Sequence, residues 1–384
     1  MNDLLIYLAG TPYDGPAGTD RHIADALSRL TPVMYVDPPV SALTQWRNPE
    51  QARSWQAPLL SSPRPGLTRL APRVAPGMHQ PVLHHLTPPL MRRAIRKAVS
   101  ANGPVAAVIS TRVEDLLHAV PARRTVFYAT DDLVAGADLI GIPRDRLAAQ
   151  EQATLRRAEQ VAVISLPLQE RYAALGHPST VVPTGCTPEA YANVDTAGIP
   201  EDARLPGPIA GFVGHVNDRI DLSLLEAVAD RGVSLLIVGP VAAGYQSSRF
   251  AALAARPNVW HTGPKAFDDL PGYLRVIDVG LTPYADTPFN RSSFPIKTLE
   301  YLAAGRAVVA TPLPANDWLA TPLITEAAGP AGFADAVERA LRVPLQGCDR
   351  AERRAFAARH TWTDRARVLA GLAGLTTGEP PCAS

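Results

Sequence analysis

Short apolar segments alternate with helical patterns along most of the chain, in two successive series. Apolar runs of about four to eight residues between helical patterns are typical of βα units, whose strands form a parallel sheet covered on both faces. The strands predicted in the first series are Leu4–Ala9, Val33–Val36, Val105–Ser110, Thr125–Ala129, Val161–Ser165 and Thr180–Val182. Those predicted in the second series are Ile209–Val213, Ser234–Val238, Val259–Thr262, Val276–Thr282 and Ala307–Ala310. The pattern therefore predicts two doubly wound α/β domains.

The length of the chain and the segment between the two series indicate where the domains end. A chain of 384 residues is too long for one ordinary hydrophobic core and suits roughly two to three domains. Residues 183–208 are rich in Pro, Thr, Gly and Ala and show little periodicity, as expected of an interdomain linker. We predict a first domain, a linker, a second domain, and a C-terminal helix with a tail that crosses back over the junction, at 1–185, 186–208, 209–348 and 349–384.

Charge and cysteine content exclude several classes of protein. The 37 Lys and Arg residues balance 36 Asp and Glu residues, so the chain lacks the basic footprint of a nucleic-acid-binding protein. Its three cysteines lie far apart without a C-x-x-C pair, which argues against a disulfide framework or a structural zinc site. The first residues lack a basic leader, and no apolar run approaches the roughly 18 residues of a membrane span. We expect a cytoplasmic protein that is soluble or peripheral.

The segment Ser292–Thr311 contains the start and stop signals of a short helix that leads into a buried strand. Ser293 can cap the helix, and Pro295 is tolerated in its first turn because that N–H would be unpaired anyway. Gly305 supplies a left-handed exit. These signals predict a helix over Pro295–Ala304, with an apolar side that packs on the sheet.

One face of this predicted helix carries groups suited to an anionic, hydroxyl-rich ligand. Ser293, Lys297 and Glu300 are spaced at i, i+4 and i+7, which places them on the same face. A helix N-terminus offers unpaired N–H groups to an anion, Lys297 adds a full positive charge, and Glu300 can accept two hydrogen bonds from a ribose diol. A nucleotide sugar matches these groups. The spacing is equally compatible with an amphipathic helix whose Lys and Glu are solvated.

Small or phosphate-binding residues follow three successive predicted strands of the second domain. They are Gly214, His215 and Arg219 after the first strand, Gly239 after the second, and Pro264 and Lys265 after the third. His215 and Arg219 can point at phosphates. We expect these turns, together with the Lys297 helix, to outline one concave site on the second domain.

A nicotinamide dehydrogenase is an alternative with the same class of fold. After the first strand, Gly10, Gly15 and Gly18 form G-x4-G-x2-G, which is not the G-x-G-x-x-G turn that lets a backbone approach a pyrophosphate. Asp37 ends the second strand as a ribose-binding acid would, but two prolines follow it and no glycine turn supports it. We therefore interpret Asp37 as a loop residue and regard the dinucleotide fingerprint as absent.

The first domain offers candidate general bases. Asp131 and Asp132 follow the strand Thr125–Ala129, where doubly wound sheets place their ligands. The charge of one acid can raise the pKa of the other and make it a proton acceptor, although a helix cap beside a solvated acid is an equal alternative. His22 is a second candidate base, against the alternative of an ordinary surface histidine. Because no D-x-D pair or metal-ligand cluster stands nearby, the pattern does not require a metal.

Residues 41–90 contain many prolines and no clear period, which indicates a long, partly ordered insertion that contributes to a binding cleft. A basic stretch begins near its end. The basic residues are His84, His85, Arg92, Arg93, Arg96 and Lys97. This stretch is compatible with weak peripheral contact with an anionic membrane surface, and a solvated helix face is the alternative.

Four motifs resemble those of family-4-like (group 1) glycosyltransferases of the GT-B type, in particular bacterial enzymes of teichuronic acid and exopolysaccharide synthesis. Phe294–Thr311 resembles fP-x-K-x-x-E-Y-L-A-A-G-x-P-V-V-a-t, the most specific of the four. The other three are Val182–Gly185, similar to the vPNG linker motif; Gly214 with His215 and Arg219, similar to the GR-x3-K phosphate clamp; and Val259–Leu270, similar to the nucleobase loop v-x-f-x-G-x-v-x3-e-L. The resemblance covers nearly the whole chain.

This resemblance implies a fold, an activity and roles for individual residues. The implied GT-B architecture has two Rossmann-like doubly wound domains that face each other across a cleft, the first binding an acceptor and the second a nucleoside-diphosphate-sugar donor. Lys297 would contact the diphosphate and Glu300 the ribose, with Ser293 and Phe294 completing the donor site. The implied enzyme moves a hexose-type sugar to a hydroxyl of a glycan, a lipid-linked glycan or a small molecule, without a cofactor or a metal.

Two positions depart from the family pattern. The family usually has a Glu eight residues before the ribose-binding Glu, and this chain has Ser292 there. Because that acid lies beside the donor sugar in retaining members, its replacement leaves an inverting mechanism open, with Asp131, Asp132 or His22 as the base. His215 replaces the usual Arg, which weakens the positive charge of the clamp. A non-catalytic sugar-nucleotide or glycan-binding partner and a nucleotide-sugar epimerase remain further hypotheses for the same fold.

Overall fold

The computed structural model describes residues 4–15, 17–41, 55–74, 87–100, 104–203, 205–343 and 347–375. The chain divides into two compact units. The N-terminal unit consists of Met1–Pro183 with Trp362–Ser384, and the C-terminal unit consists of Thr184–Thr361. Each unit contains one sheet.

The sheet of the N-terminal unit has eight strands in the order β3-β4-β2-β1-β5-β6-β7-β8. The strands are β1 Leu4–Leu8, β2 Val33–Val36, β3 Leu60–Arg64, β4 Leu67–Leu70, β5 Val105–Ser110, β6 Ala122–Ala129, β7 Gln160–Val163 and β8 Thr180–Val181. Neighbouring strands pair in parallel, except that β3 runs antiparallel to β4 at the edge. The strand order reverses between β1 and β5, which makes that position a topological switch point.

The sheet of the C-terminal unit has six parallel strands in the order β11-β10-β9-β12-β13-β14. The strands are β9 Ile209–Val213, β10 Ser234–Val238, β11 Val259–His261, β12 Val279–Thr282, β13 Ala307–Ala310 and β14 Ile324–Glu326. This is the doubly wound order 3-2-1-4-5-6, with its switch point between β9 and β12. Both of these strands are buried along their whole length, as expected of a parallel sheet with two covered faces.

The α-helices of the described residues connect these strands. In chain order they are α1 Thr19–Leu27, α2 Thr87–Val99, α3 Ala137–Ile140, α4 Arg144–Arg157, α5 Leu166–Ala174, α6 Leu222–Asp230, α7 Ser247–Ala254, α8 Leu270–Val276, α9 Pro288–Arg291, α10 Ile296–Ala303, α11 Pro314–Leu319, α12 Pro330–Arg342, α13 Gly347–Ala357 and α14 Trp362–Leu372. No helix among these residues is long and apolar enough to cross a membrane.

The final helical pattern differs from the prediction. Instead of one helix over Ala351–Gly371, the chain forms α13 and α14. The break has a backbone cause: the Cys186 N–H donates to the His360 carbonyl over 2.9 Å, and Cys186 pairs with Thr361 as a parallel bridge. These pairings hold 360–361 out of the helical conformation, so α13 stays in the C-terminal unit and α14 belongs to the N-terminal unit.

Asp37 lies in the loop after β2, as interpreted from the sequence, and it is buried in an ion pair. Its side chain is 1% exposed and accepts hydrogen bonds from Arg69 Nε (2.9 Å) and Nη2 (2.6 Å) and from the Tyr13 N–H (3.1 Å). Arg69 comes from β4, inside the stretch 41–90 in which no strand is predicted. The described part of that stretch forms the β3–β4 edge, and the predicted basic residues His84 and His85 lie outside the described residues.

Candidate functional site

Helix α10 has the predicted exit and a different start. At its end, Gly305 adopts a φ of +76°, the Arg306 N–H donates to the Tyr301 carbonyl (2.8 Å) and the Gly305 N–H donates to that of Leu302 (2.9 Å), which is a Schellman arrangement. At its start, the N-cap residue is Pro295. Proline has no hydrogen-bonding side chain, so the N-cap position provides no side-chain acceptor for the first-turn N–H groups.

Ser293 does not cap this helix, so that prediction is wrong. Its hydroxyl donates instead to the Phe289 carbonyl over 2.9 Å, and the residue is 2% exposed. The cause is the short helix α9, whose C-terminal carbonyls lie within reach and need donors. Phe294 is also buried, with its ring edge on Trp318 at a centroid distance of 5.5 Å. The polar face of α10 therefore consists of Lys297 and Glu300.

Lys297 and Glu300 form an ion pair, with Nζ and Oε2 2.6 Å apart. The Lys297 side chain is 21% exposed and that of Glu300 is 8% exposed, so the pair lies near the surface without being fully solvated. Tyr191, from the 3-10 helix Pro188–Tyr191, lies beside Glu300. Burial, and then the negative charge of Glu300, raises the pKa of Tyr191.

Tyr301 fixes α10 beside the switch point of the C-terminal sheet. The Val213 N–H, at the end of β9, donates to the Tyr301 hydroxyl over 2.8 Å. The ring lies against Gly280 in β12, where a Cβ atom would approach the ring within 2.3 Å. Because any larger residue at 280 would displace the ring, this glycine permits the close approach of α10 to the sheet.

Arg219 is held in place by neutral groups. Its Nε donates to Asn290 Oδ1 over 3.0 Å, and its guanidinium lies 5.4 Å and 5.1 Å from the ring centroids of Tyr284 and Phe289. Asn290 is completely buried, and its amide also donates to the Arg219 carbonyl over 2.9 Å. Asn290 belongs to α9, a helix that sequence reasoning missed; the N-cap signal at Thr287 could have located it.

The positive charges of Arg219 and Lys297 both affect the pKa of Tyr284. The pKa of Tyr284 is raised by burial, and the positive charges of Arg219 and Lys297 oppose that shift. Arg219 lies over the Tyr284 ring, beyond the carboxyl end of β12, and the charge of Lys297 also reaches the Tyr284 hydroxyl. This arrangement brings together two of the predicted phosphate-binding side chains.

The turns after β9, β10 and β11 are joined through their backbones. The Gly214 N–H donates to the Val238 carbonyl (2.9 Å), and the Gly239 N–H donates to the Gly263 carbonyl (3.0 Å). At Gly239 the φ is +138°, and a Cβ atom there would lie 2.0 Å from the Gly214 oxygen. Gly239 is thus required for the close approach of two strand ends. His215 and Pro264, in the same turns, are exposed.

Lys265 forms an ion pair with Asp202, which belongs to the predicted linker. Its Nζ lies 2.6 Å from Asp202, whose other carboxylate oxygen accepts from the Tyr273 hydroxyl at 2.6 Å. The hydrogen bond to Asp202 raises the pKa of Lys265, and the same bond lowers the pKa of Asp202. A ligand would compete with Asp202 for Lys265, and a donor-binding role for this residue stays a prediction.

The candidate bases lie in the N-terminal unit. Asp132 is buried, its Oδ1 accepts from the Ala135 N–H at 2.9 Å within a turn, and Arg171 lies 3.3 Å away. It does not cap the following helix α3, whose N-cap is Gly136 with no side-chain hydrogen bond, so the alternative of a helix cap is wrong. Asp131 is half-buried. His22 stacks on Trp362 of α14 with a centroid distance of 5.0 Å. Throughout the described ranges, no group of three His, Cys, Asp or Glu side chains has the arrangement of a metal site.

Residues 207–342 match the family model for "Glycosyl transferases group 1". The match contains the turns after β9, β10 and β11, Arg219, and the whole of α10. This chain carries a group 1 glycosyltransferase domain.

A curated relative of this chain is TuaH of Bacillus subtilis (strain 168), which is named for a proposed role as a teichuronic acid biosynthesis glycosyltransferase. The two chains are 36% identical over 122 residues. Those residues make up 31% of this chain and 30% of TuaH, so the similarity covers about a third of each.

Solved structures resemble this chain over nearly its whole length. Sucrose-phosphate synthase from Thermosynechococcus elongatus has a TM-score of 0.70 at 17% identity, covering 96% of this chain and 98% of that one. HepE from Anabaena, solved in complex with UDP, has a TM-score of 0.64 at 15% identity, covering 97% and 100%. At such identities the likeness shows the fold alone. It confirms the GT-B fold class expected from the sequence.

Proposed function

We propose that this protein transfers a sugar from a nucleoside-diphosphate-sugar donor to an acceptor hydroxyl. We also propose that its C-terminal unit binds the donor at the N-terminus of α10. The position of Lys297 and Glu300 carries the proposal. Both lie inside the matched family domain, on a helix anchored through Tyr301 at the switch point of a doubly wound sheet. Ligands of such sheets bind outside the carboxyl ends of the strands at that point.

Donor binding would exchange the partners of the Lys297–Glu300 pair. The ammonium of Lys297 and the first-turn N–H groups of α10 are donors suited to a diphosphate, and Arg219 adds a second cation near Tyr284. Glu300, released from Lys297, would accept hydrogen bonds from the ribose hydroxyls. Because these donors are already in place, they would stabilise the negative charge that develops on the leaving diphosphate.

The same cations support a metal-independent reaction. In other sugar transferases a divalent metal neutralises the leaving diphosphate, and here Lys297, Arg219 and the helix N-terminus would provide that positive charge. We further propose that the N-terminal unit binds the acceptor and supplies a base from among Asp131, Asp132 and His22. Ser292 is 8% exposed at the C-terminal end of α9 and has no carboxylate to offer the donor sugar.

The proposal is tested by measuring nucleoside diphosphate release from a panel of nucleotide sugars. UDP-sugars are the first donors to test, because the neighbour HepE was solved in complex with UDP. Teichuronic acid fragments are the first acceptors to test, because the relative TuaH is named for that polymer. We expect one donor to release its diphosphate only when an acceptor is present. Binding without release would instead indicate a non-catalytic partner, and isomerisation of the donor without an acceptor would indicate an epimerase. The configuration of the product at its anomeric carbon then separates inversion from retention.

A further inference from the structure

A cavity of about 580 Å³ lies in the N-terminal unit between the N-terminal part of α2, the loop after β5, and α4. Small-molecule sites usually have volumes of about 300–1,000 Å³. None of the predicted donor or base residues lines this cavity. Its charged lining residues are Arg92, Arg112, Glu114, Asp115, Arg146 and Arg157. Four arginines against two acids leave an excess of two positive charges.

Arg112 is the most deeply buried of these cations, at 8% exposure. Its Nε and Nη2 donate to the two carboxylate oxygens of Glu114, over 3.0 Å and 2.6 Å. Its Nη1 is buried and has no hydrogen-bond partner within the described part of the chain. A buried donor of a charged group without a partner is costly, so an acceptor in the cavity would stabilise this arrangement.

The four arginines of the cavity divide between its two acids. Arg92 and Arg157 both pair with Asp115, one on each carboxylate oxygen. Arg146, half-buried on α4, acts with Arg112 on Glu114: burial tends to raise the pKa of Glu114, and the charges of the two arginines lower it. Each acid thus faces two arginines, and each side of the cavity carries one excess positive charge.

We propose that this arginine pocket binds the phosphate group of a small phosphorylated molecule. A phosphate monoester carries a charge of about −1.5 to −2 at neutral pH and offers several acceptor oxygens, which matches the excess of two positive charges on the lining of the cavity. Arginine forks bind phosphate oxygens in pairs. The other walls include the apolar side chains of Val113, Leu116 and Ile142, which can contact the body of the molecule. The assignment does not rest on glycosyl transfer.

Calorimetric titration with inorganic phosphate, glucose 6-phosphate, glucuronate and glucose tests the assignment. The full-length Lys297→Ala variant serves as the reference, so that phosphate binding at α10 is weakened and is the same in every variant compared. We expect glucose 6-phosphate to bind more tightly than phosphate, and glucose to give no heat. Arg112→Gln and Arg146→Gln in that background should each weaken binding roughly tenfold to a hundredfold, the loss expected for one hydrogen bond between charged groups.

Arg156→Gln is the matched control, because Arg156 is an exposed arginine of the same helix that does not line the pocket. It should change the affinity less than about twofold. Arg146→Gln keeps the test decisive even if Arg112→Gln does not fold, since Arg146 is only half-buried. Absence of phosphate binding, equal affinities in the Arg146 and Arg156 variants, or binding of glucuronate in preference to glucose 6-phosphate would each overturn the proposal.

Discussion

The two switch points of this protein share a topology and differ in how their polar groups are used. In the N-terminal unit, the buried Asp20 carboxylate accepts hydrogen bonds from the N–H groups of Gly10 (2.8 Å) and Thr11 (3.0 Å) and from the Tyr7 hydroxyl (3.1 Å). In the C-terminal unit, Lys297 and Glu300 bond to each other beside an uncapped helix start. The first arrangement holds a loop, and the second offers charges that a ligand can take over.

Further bonds make the N-terminal loop rigid. The Tyr35 hydroxyl donates to the Thr11 carbonyl over 2.7 Å, and the Tyr13 N–H donates to the buried Asp37. Since each of these polar groups has its partner within the unit, a ligand would gain little by displacing them. This difference supports the proposal that the nucleotide binds at the C-terminal switch point and that the N-terminal unit contributes proton transfer.

The largest effect is expected from removing the base. Of Asp131→Asn, Asp132→Asn and His22→Gln, at least one should lower turnover by roughly a hundredfold to ten-thousandfold, because general base catalysis contributes that much. Donor affinity should stay unchanged in that variant. Arg171→Gln is the control for Asp132, since it breaks the ion pair and keeps the carboxylate. If all three variants were fully active, the N-terminal unit would supply no base.

Lys297→Ala should lower turnover on the order of a hundredfold, because it removes one preorganised cation from the leaving diphosphate. Arg342→Gln serves as the control, since Arg342 belongs to the same unit and its side chain is 77% exposed. Steady-state kinetics with the active donor measure both variants. Equal turnover in Lys297→Ala and Arg342→Gln would contradict the proposed difference between the two switch points, because α10 would then be no more than a solvated amphipathic helix.

Glu300→Gln should raise the donor KM about tenfold, since the amide replaces a charged acceptor of ribose hydrogen bonds. The loss should be smaller with a 2′-deoxy donor, which lacks one of the hydroxyls. The exposed Glu352→Gln is the matched control. An equal loss with the ribose and deoxyribose donors would show that Glu300 acts only by holding Lys297.

Asp20→Asn should destabilise the N-terminal unit by about 1–3 kcal/mol with little effect on donor binding, because an amide replaces the carboxyl group that accepts from Gly10 and Thr11 and one of its two acceptor oxygens is lost. Burial raises the pKa of Asp20. A raised folded-state pKa means that the wild-type unit loses stability as pH rises from about 4 through that pKa, and the variant should lack this loss. Hydrogen exchange of the Gly10 and Thr11 amides measures it, with the exposed Asp145→Asn as the control. Unchanged exchange would contradict the structural role.

The smallest effect is expected from a chelator. If Lys297, Arg219 and the helix N-terminus neutralise the diphosphate, turnover should be the same in excess EDTA as in excess Mg²⁺. Loss of activity in EDTA that Mg²⁺ restores would show that the cations of α10 are insufficient.

The sequence predicts the sheets well because their central strands are uniform apolar runs with clear ends. The ranges Val33–Val36, Ile209–Val213 and Ala307–Ala310 agree with the structure residue for residue. Strands β3, β4 and β14 were missed. The edge strands β3 and β14 bury little, since β3 is mostly exposed and β14 has one buried residue. Strand β4 is mostly buried but has only four residues, inside a proline-rich stretch without a clear period.

The site residues also divide into those that a local pattern predicts and those that depend on contacts with other elements. The face shared by Lys297 and Glu300 and the exit at Gly305 follow from helix geometry, which is local. The role of Ser293 depended on a neighbouring carbonyl from α9, and the position of Arg219 depends on Asn290, so neither could be read from spacing. Contacts between elements, rather than within them, decide these positions.

Titration of nucleoside diphosphates, starting with UDP, into the wild type and the Lys297→Ala variant tests the central claim most directly. We predict that one of them binds the wild type, binds Lys297→Ala at least about tenfold more weakly, and binds Arg342→Gln with wild-type affinity. Equal affinity for the wild type and Lys297→Ala, or no binding by any nucleoside diphosphate, would contradict the assignment of the donor site to α10.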